Sequence, residues 1–191
     1  VDLELDGNSV GSVIGIFSGR VADQITMLRV YMHNLTSGFI ISGDNLEYDM
    51  ATGYAGHIFD QISIVDCTVS TLTGYGMYVF ANKLSVLGTS IADATAGFHI
   101  ARIMHATKAV VSNNTFNNPS YTHQVFTLRT PSDTDCRPTF GCEYYPTMLP
   151  GNATHTTSVV VSGNHFIGGQ SNQPVTITPS DVSIEHGVFQ D

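Results

Sequence analysis

One apolar motif recurs along the chain and limits what it can fold into. An apolar residue is followed two places later by a second, and five places after that by a third. The pattern reads Leu3, Leu5, Val10, then Leu28, Val30, Leu35, then Ile62, Ile64, Val69. It continues as Leu84, Val86, Ile91, then Ala109, Val111, Phe116, then Val159, Val161, Phe166, and ends as Val182, Ile184, Phe189. The central members stand at positions 5, 30, 64, 86, 111, 161 and 184. Most gaps lie near 22 to 25 residues, and the two long ones have the size of a repeat plus an insertion. A second alternating segment follows each centre up to position 161: one within Val13–Phe17, then Phe39 and Ile41, Met77 and Val79, Phe98 and Ile100, Phe126 and Leu128, Val175 and Ile177. Alternation with period two is the mark of a strand with one face buried, and a helix would need spacings of three and four. Strands that return in one phase every two dozen residues predict stacked repeats, in which each unit buries its apolar side only against its neighbours. Seven such units, stacked at the usual interstrand distance, span about 30 Å.

The turn after each centre carries Asn8, His33, Cys67, Thr89, Asn114, Asn164 and Gly187 three residues on. Asn accepts left-handed backbone, and its amide can bond the turn or an Asn stacked above it. The segments Val111–Phe116 (VSNNTF) and Val161–Phe166 (VSGNHF) resemble the pectin-lyase-like right-handed β-helix superfamily. The resemblance implies an all-β, right-handed, single-stranded parallel β-helix: one domain over 1–191, about seven coils, and an Asn ladder interrupted where the residue is not Asn. It also implies that the strands at 39–41, 77–79, 98–100, 126–128 and 175–177 form the sheet that lines a substrate groove. The two insertions, near 42–61 and 130–157, follow that sheet, where loops on a rigid scaffold commonly carry function.

Ile40, Tyr78, His99, Thr127 and Thr176 are expected on the outer face of that sheet, with Lys83, Arg102 and Arg129 just past its strands. Cations stacked on successive coils suit the carboxylates of a uronate polymer, and Arg can bind them bidentately. Tyr78 and His99 are candidates for the base and acid of a β-elimination, and Arg129 or Arg102 for the cation that stabilises the enolate-like charge. Lys83, Arg102, Thr127 and Thr176 are candidate substrate contacts. No outer position is Asp or Glu, which argues against hydrolysis by a carboxylate pair. These features point to a carbohydrate-active protein, a polysaccharide lyase or epimerase. The alternative is a non-catalytic structural or glycan-binding rod such as an adhesin, appendage or tailspike segment, with Tyr48, Tyr54, Tyr121, Tyr144 and Tyr145 stacking on sugars or on a neighbouring subunit.

The formal net charge of -9 disfavours phosphate backbones, so no nucleic-acid partner is expected, and no apolar run is long enough to insert in a membrane. Cys136 and Cys142 are close enough in sequence to close a small disulfide loop. Together with the sequons at Asn34, Asn113 and Asn152 they place the chain outside the cell. No cofactor motif is present. Asp133, Asp135 and Glu143 offer oxygen ligands of the kind calcium takes, without EF-hand spacing. Uncapped coil ends would expose strand edges, so self-association or continuation into a longer chain is expected there.

Overall fold

The computed structural model describes residues 3–8, 13–18, 24–41, 59–92, 99–119, 123–128, 158–169, 175–177, 182–185 and 188–190. Among them there is no helix, and every strand pair is parallel. Sheet A contains β1 (Leu3–Asp6), β4 (Val30–Leu35), β7 (Thr68–Leu72), β9 (Ser90–Ala92), β11 (Thr115–Asn118), β14 (His165–Gly168) and β17 (Val188–Gln190). The other strands form two ladders. Sheet B holds β2 (Ile14–Ser18), β5 (Ser37–Ile41), β12 (Phe126–Leu128) and β15 (Val175–Ile177). Sheet C holds β3 (Gln24–Leu28), β6 (Phe59–Val65), β13 (Ser158–Ser162) and β16 (Val182–Glu185). The long strands β8 (Met77–Leu87) and β10 (Ala101–Ser112) belong to both, their first halves in sheet B and their second halves in sheet C. The chain therefore visits A, B and C in the same order on every round, as a parallel β-helix requires.

Inward side chains stack in rows that cross the strands. In sheet C, Met27, Ile64, Val86, Val111 and Val161 are in register and buried. Sheet A supplies Met32, Val69, Ile91, Phe116 and Phe166. Sheet B supplies Phe39, Met77, Ala101 and Phe126. Phe116 stacks on Phe166 at 5.7 Å and tilts against Phe126 at 5.5 Å, which joins sheets A and B through the interior. Each buried aliphatic or aromatic side chain contributes about 1.5–3 kcal/mol.

The corner between sheets C and A is the most regular feature. Arg29, Asp66, Gly88, Asn113 and Gly163 all have positive φ, between 52° and 62°. Each is followed by a buried residue, in order Val30, Cys67, Thr89, Asn114 and Asn164. The last two form a true Asn ladder. Asn114 Nδ2 donates to Asn164 Oδ1 at 2.9 Å and to the Val86 carbonyl at 2.8 Å, and Asn164 Oδ1 also accepts from the Asn114 amide. The Thr89 amide donates to Asn114 Oδ1 at 2.8 Å, and the Cys67 amide to Thr89 Oγ1 at 3.3 Å. The chain of bonds thus continues past the asparagines, because a hydroxyl can accept where an amide oxygen is missing. The Asn ladder itself is interrupted, as expected, being confined to Asn114 and Asn164, while the hydroxyl of Thr89 carries the bonding on to Cys67.

Four expectations change. The early repeat is phased Ile25, Met27, Met32, with Val30 in the ladder position, while Leu28 points outward and is 47% exposed. The segment with Leu5 pairs with Met32 in sheet A, so His33 and Asn8 lie outside the ladder. The strand expected at 98–100 begins at Ala101, because an alanine, small enough to fit between Met77 and Phe126, holds the inner position. The insertion expected to end at Gln61 ends earlier, since β6 starts at Phe59; residues 42–58 and 129–157 lie outside the described residues.

Asn114→Ala should leave the Thr89 amide and the Val86 carbonyl buried without these partners, a loss of about 1–3 kcal/mol for each unsatisfied group, measurable by urea denaturation. Burial pushes the Cys67 thiol above its ordinary value. The folded chain should resist alkylation at Cys67 at neutral pH and react once denatured. Because the unfolded thiol ionises first, this group's contribution to stability is lost only as pH rises past the ordinary thiol value.

Candidate functional site

The outer face of sheet B gathers the chemistry. Its central row runs Phe17, Ile40, Tyr78, Arg102, Thr127 and Thr176, one residue per round, each the register partner of the next. Beside Ile40, Tyr78, Arg102 and Thr127, the flanking residues Phe39, Ile41, Met77, Val79, Ala101, Ile103, Phe126 and Leu128 are buried in the core, so strand alternation sets this row outward.

Around Arg102 the row thickens into a cluster. The guanidinium Nη1 donates to the Tyr75 hydroxyl at 3.1 Å, and its Cζ lies 5.8 Å from the centre of the Tyr78 ring, within cation–π range. The Tyr75 and Tyr78 rings are 5.3 Å apart. Tyr75 lies nearly parallel to His99 at 6.4 Å, and His99 meets His123 edge-on at 5.1 Å. His99 Nδ1 and Thr127 Oγ1 share a hydrogen bond of 3.3 Å. His99 is only 7% exposed, and Thr127 is fully buried although it sits on an outer row. Asn118 Nδ2 donates to the carbonyls of His123 and Gln124 and so ties that loop to the end of β11.

Two buried side-chain atoms lack a hydrogen-bond partner among the described residues, Arg102 Nε and Thr176 Oγ1. Both belong to the central row. A buried polar atom left unpaired costs about 1–3 kcal/mol. No group of three or more metal-ligating side chains occurs among the described residues.

The structure brings together four of the residues expected from sequence: Tyr78, His99, Arg102 and Thr127. Thr176 occupies the same row on the next round. His99 enters from the turn before β10 rather than from the strand, since Arg102 holds the register place opposite Tyr78. Lys83 does not join them. It lies on sheet C, in register with Gln61 and Lys108, and pairs with Asp60 at 3.4 Å on the surface. Lys83 and Arg102 therefore do not share a face, and the cation in register with Lys83 is Lys108 on sheet C. Arg129, Cys136, Cys142, Asn152, Asp133, Asp135 and Glu143 lie outside the described residues. Asn34 sits in a left-handed turn with its Nδ2 donating to Asp6 Oδ1 and His33 Nδ1, whereas Asn113 is exposed at the corner before β11.

Tyr75 and His123 were not legible as site residues. Tyr75 stands two places before the inner Met77, and His99 two places before the inner Ala101, so they are equivalent positions on adjacent rounds. With the strand started at Ala101, that equivalence would have drawn attention to Tyr75.

No protein-family model, curated protein or solved structure matches the chain. The class the structure defines is an all-β chain of three parallel sheets visited in cyclic order.

Lys83→Ala should shift stability by no more than about 1 kcal/mol, because its ion pair is exposed and screened. A thermal melt of the variant beside the parent chain checks this, and a large loss would mean that Lys83 does more than its surface position indicates.

Proposed function

We propose that the chain is a right-handed, single-stranded parallel β-helix of the pectin-lyase-like kind. In this reading it is an extracellular carbohydrate-active protein that binds an acidic polysaccharide across the outer face of sheet B. The fold part is supported by the cyclic order of three parallel sheets and by the Asn114–Asn164 ladder. The functional part rests chiefly on Arg102, whose buried Nε lacks a partner beside two tyrosine rings and a histidine.

The chemistry assigned is proton abstraction next to a carboxylate. Arg102 neutralises the sugar carboxylate and the charge that develops when the α-proton leaves. Tyr78 and His99 serve as proton acceptor and donor. In β-elimination the electrons of the broken C–H bond form a carbon–carbon double bond, the glycosidic C–O bond breaks, and the departing oxygen takes a proton. Return of a proton to the opposite face, with no bond broken to the leaving oxygen, gives epimerisation instead.

A second reading is favoured by one observation. His99 is nearly buried and its Nδ1 is shared with Thr127, which suits a residue that braces a binding surface. The chain is then a non-catalytic glycan-binding rod, and the exposed Leu3 and Ile14 of its first strands are where self-association would occur.

Incubation with neutral and uronate-rich polysaccharides separates the readings. Unsaturated products are expected, with Arg102→Gln lowering kcat/KM about a hundredfold and His99→Ala abolishing turnover in a folded chain. New reducing ends without unsaturation would mean hydrolysis and overturn the elimination chemistry. Binding without turnover would establish the second reading.

A further inference from the structure

The left-handed corner between sheets C and A alternates side chain and glycine. Asp66 is followed on the next rounds by Gly88, Asn113 and Gly163, all exposed. A Cβ at Gly88 would collide with Asp66 Oδ1, and one at Gly163 with Asn113 Oδ1, so each side chain lies along the glycine of the next round. Asn113 opens the sequon Asn113-Asn114-Thr115. Its amide oxygen rests against Gly163 and its side chain makes no hydrogen bond among the described residues, which leaves Nδ2 uncommitted. Asn34, in the sequon Asn34-Leu35-Thr36, is the opposite case. It is half-buried, and its Nδ2 uses both hydrogens, on Asp6 Oδ1 at 3.0 Å and on His33 Nδ1 at 2.8 Å. Asp6 belongs to β1, which sheet A holds only through β4.

Resting on the extracellular reading above, we infer that Asn113 carries an N-linked oligosaccharide and that Asn34 does not. In the transfer, Asn113 Nδ2 attacks C1 of the first sugar of a lipid-pyrophosphate-linked oligosaccharide. A C–N bond forms, and the C–O bond to the pyrophosphate breaks. The electron pair of that bond leaves with the lipid pyrophosphate, and Nδ2 gives up one proton to a base of the transferase. In the folded chain Asn114 is buried and Thr115 is part of β11, so the sequon is closed to an enzyme and the sugar is added before this corner forms. Folding then decides which modified site is tolerated. At Asn113 the hydrogen that is lost served no bond, and the sugar extends into solvent beside two glycines. At Asn34 one of two bonds would be lost, and a sugar would stand between β4 and Asp6 and unseat β1. A glycan at the corner of sheets C and A also leaves the outer face of sheet B uncovered.

The test is expression of the intact chain behind a secretion leader in a eukaryotic cell line. The secreted product is treated with a glycan-releasing amidase in heavy-oxygen water, which labels each Asn that carried a sugar, and is mapped by peptide fragmentation. Label at Asn113 and none at Asn34 is expected. Thr115→Val, which removes the sequon while keeping Asn113 and a β-branched strand residue, is expected to lose the label, with the fold checked by circular dichroism. Label at Asn34 in a folded, secreted chain, or an unlabelled Asn113, overturns the inference and leaves the carbohydrate reading to the polysaccharide incubations. Retention of both the parent chain and Thr115→Val inside the cell without folding overturns the extracellular reading and this inference with it.

Discussion

A chain that lays each round on the last must turn a sharp corner between sheets C and A without stranding backbone groups in the interior. The corner is made by one residue in left-handed conformation, and the next residue's side chain or backbone then lies buried. At Gly88 and Gly163 this costs little, and Asn113 tolerates it, whereas Arg29 and Asp66 adopt the same φ against a side-chain penalty of about 1–2 kcal/mol. The corner persists at those two sites because the stack on either side dictates it. The Arg29 amide bonds the Val65 carbonyl and the Asp66 amide bonds the Leu87 carbonyl, as the Gly88 and Asn113 amides bond those of Ser112 and Ser162. Buried acceptors then relay from Asn164 through Asn114 and Thr89 to Cys67, each serving the amide of the round before. The register of the whole stack depends on that relay, since a slip of one residue would turn the inner rows outward.

Much of the architecture was readable because that register repeats. Ile64, Val86, Val111 and Val161 stand in the same relation to their neighbours, and β-branched residues in alternation leave little choice of period. Reading failed where apolar residues were crowded or small. Around Leu28 and Val30, two phases three residues apart both satisfy the motif, and only burial shows that Met27 is the inward one. Before β10, Ala101 has too little side chain to announce an inner row, so alternation alone starts the strand early and gives His99 the position that Arg102 holds.

The site was legible to the extent that it lies on strands. Tyr78, Arg102, Thr127 and Thr176 follow from alternation once the phase is right. Tyr75, His99 and His123 come from turns, where nothing periodic fixes direction, and their meeting depends on how three successive turns stack. Lys83 shows the converse error. It follows Tyr78 closely in sequence, yet β8 passes from sheet B to sheet C between them, so nearness along the chain did not mean a shared face.

The same geometry explains why a functional surface can differ so much along one row. Inner positions are constrained by neighbours above and below, so they converge on similar apolar residues. Outer positions on sheet B need only be compatible with a strand, and each round can present a different group at a fixed spacing. A row holding Phe17, Ile40, Tyr78, Arg102, Thr127 and Thr176 is thus a ruler with six different marks. Thr127 and Arg102 Nε are the exceptions on this row: both are buried, so a substitution there meets packed neighbours and not water.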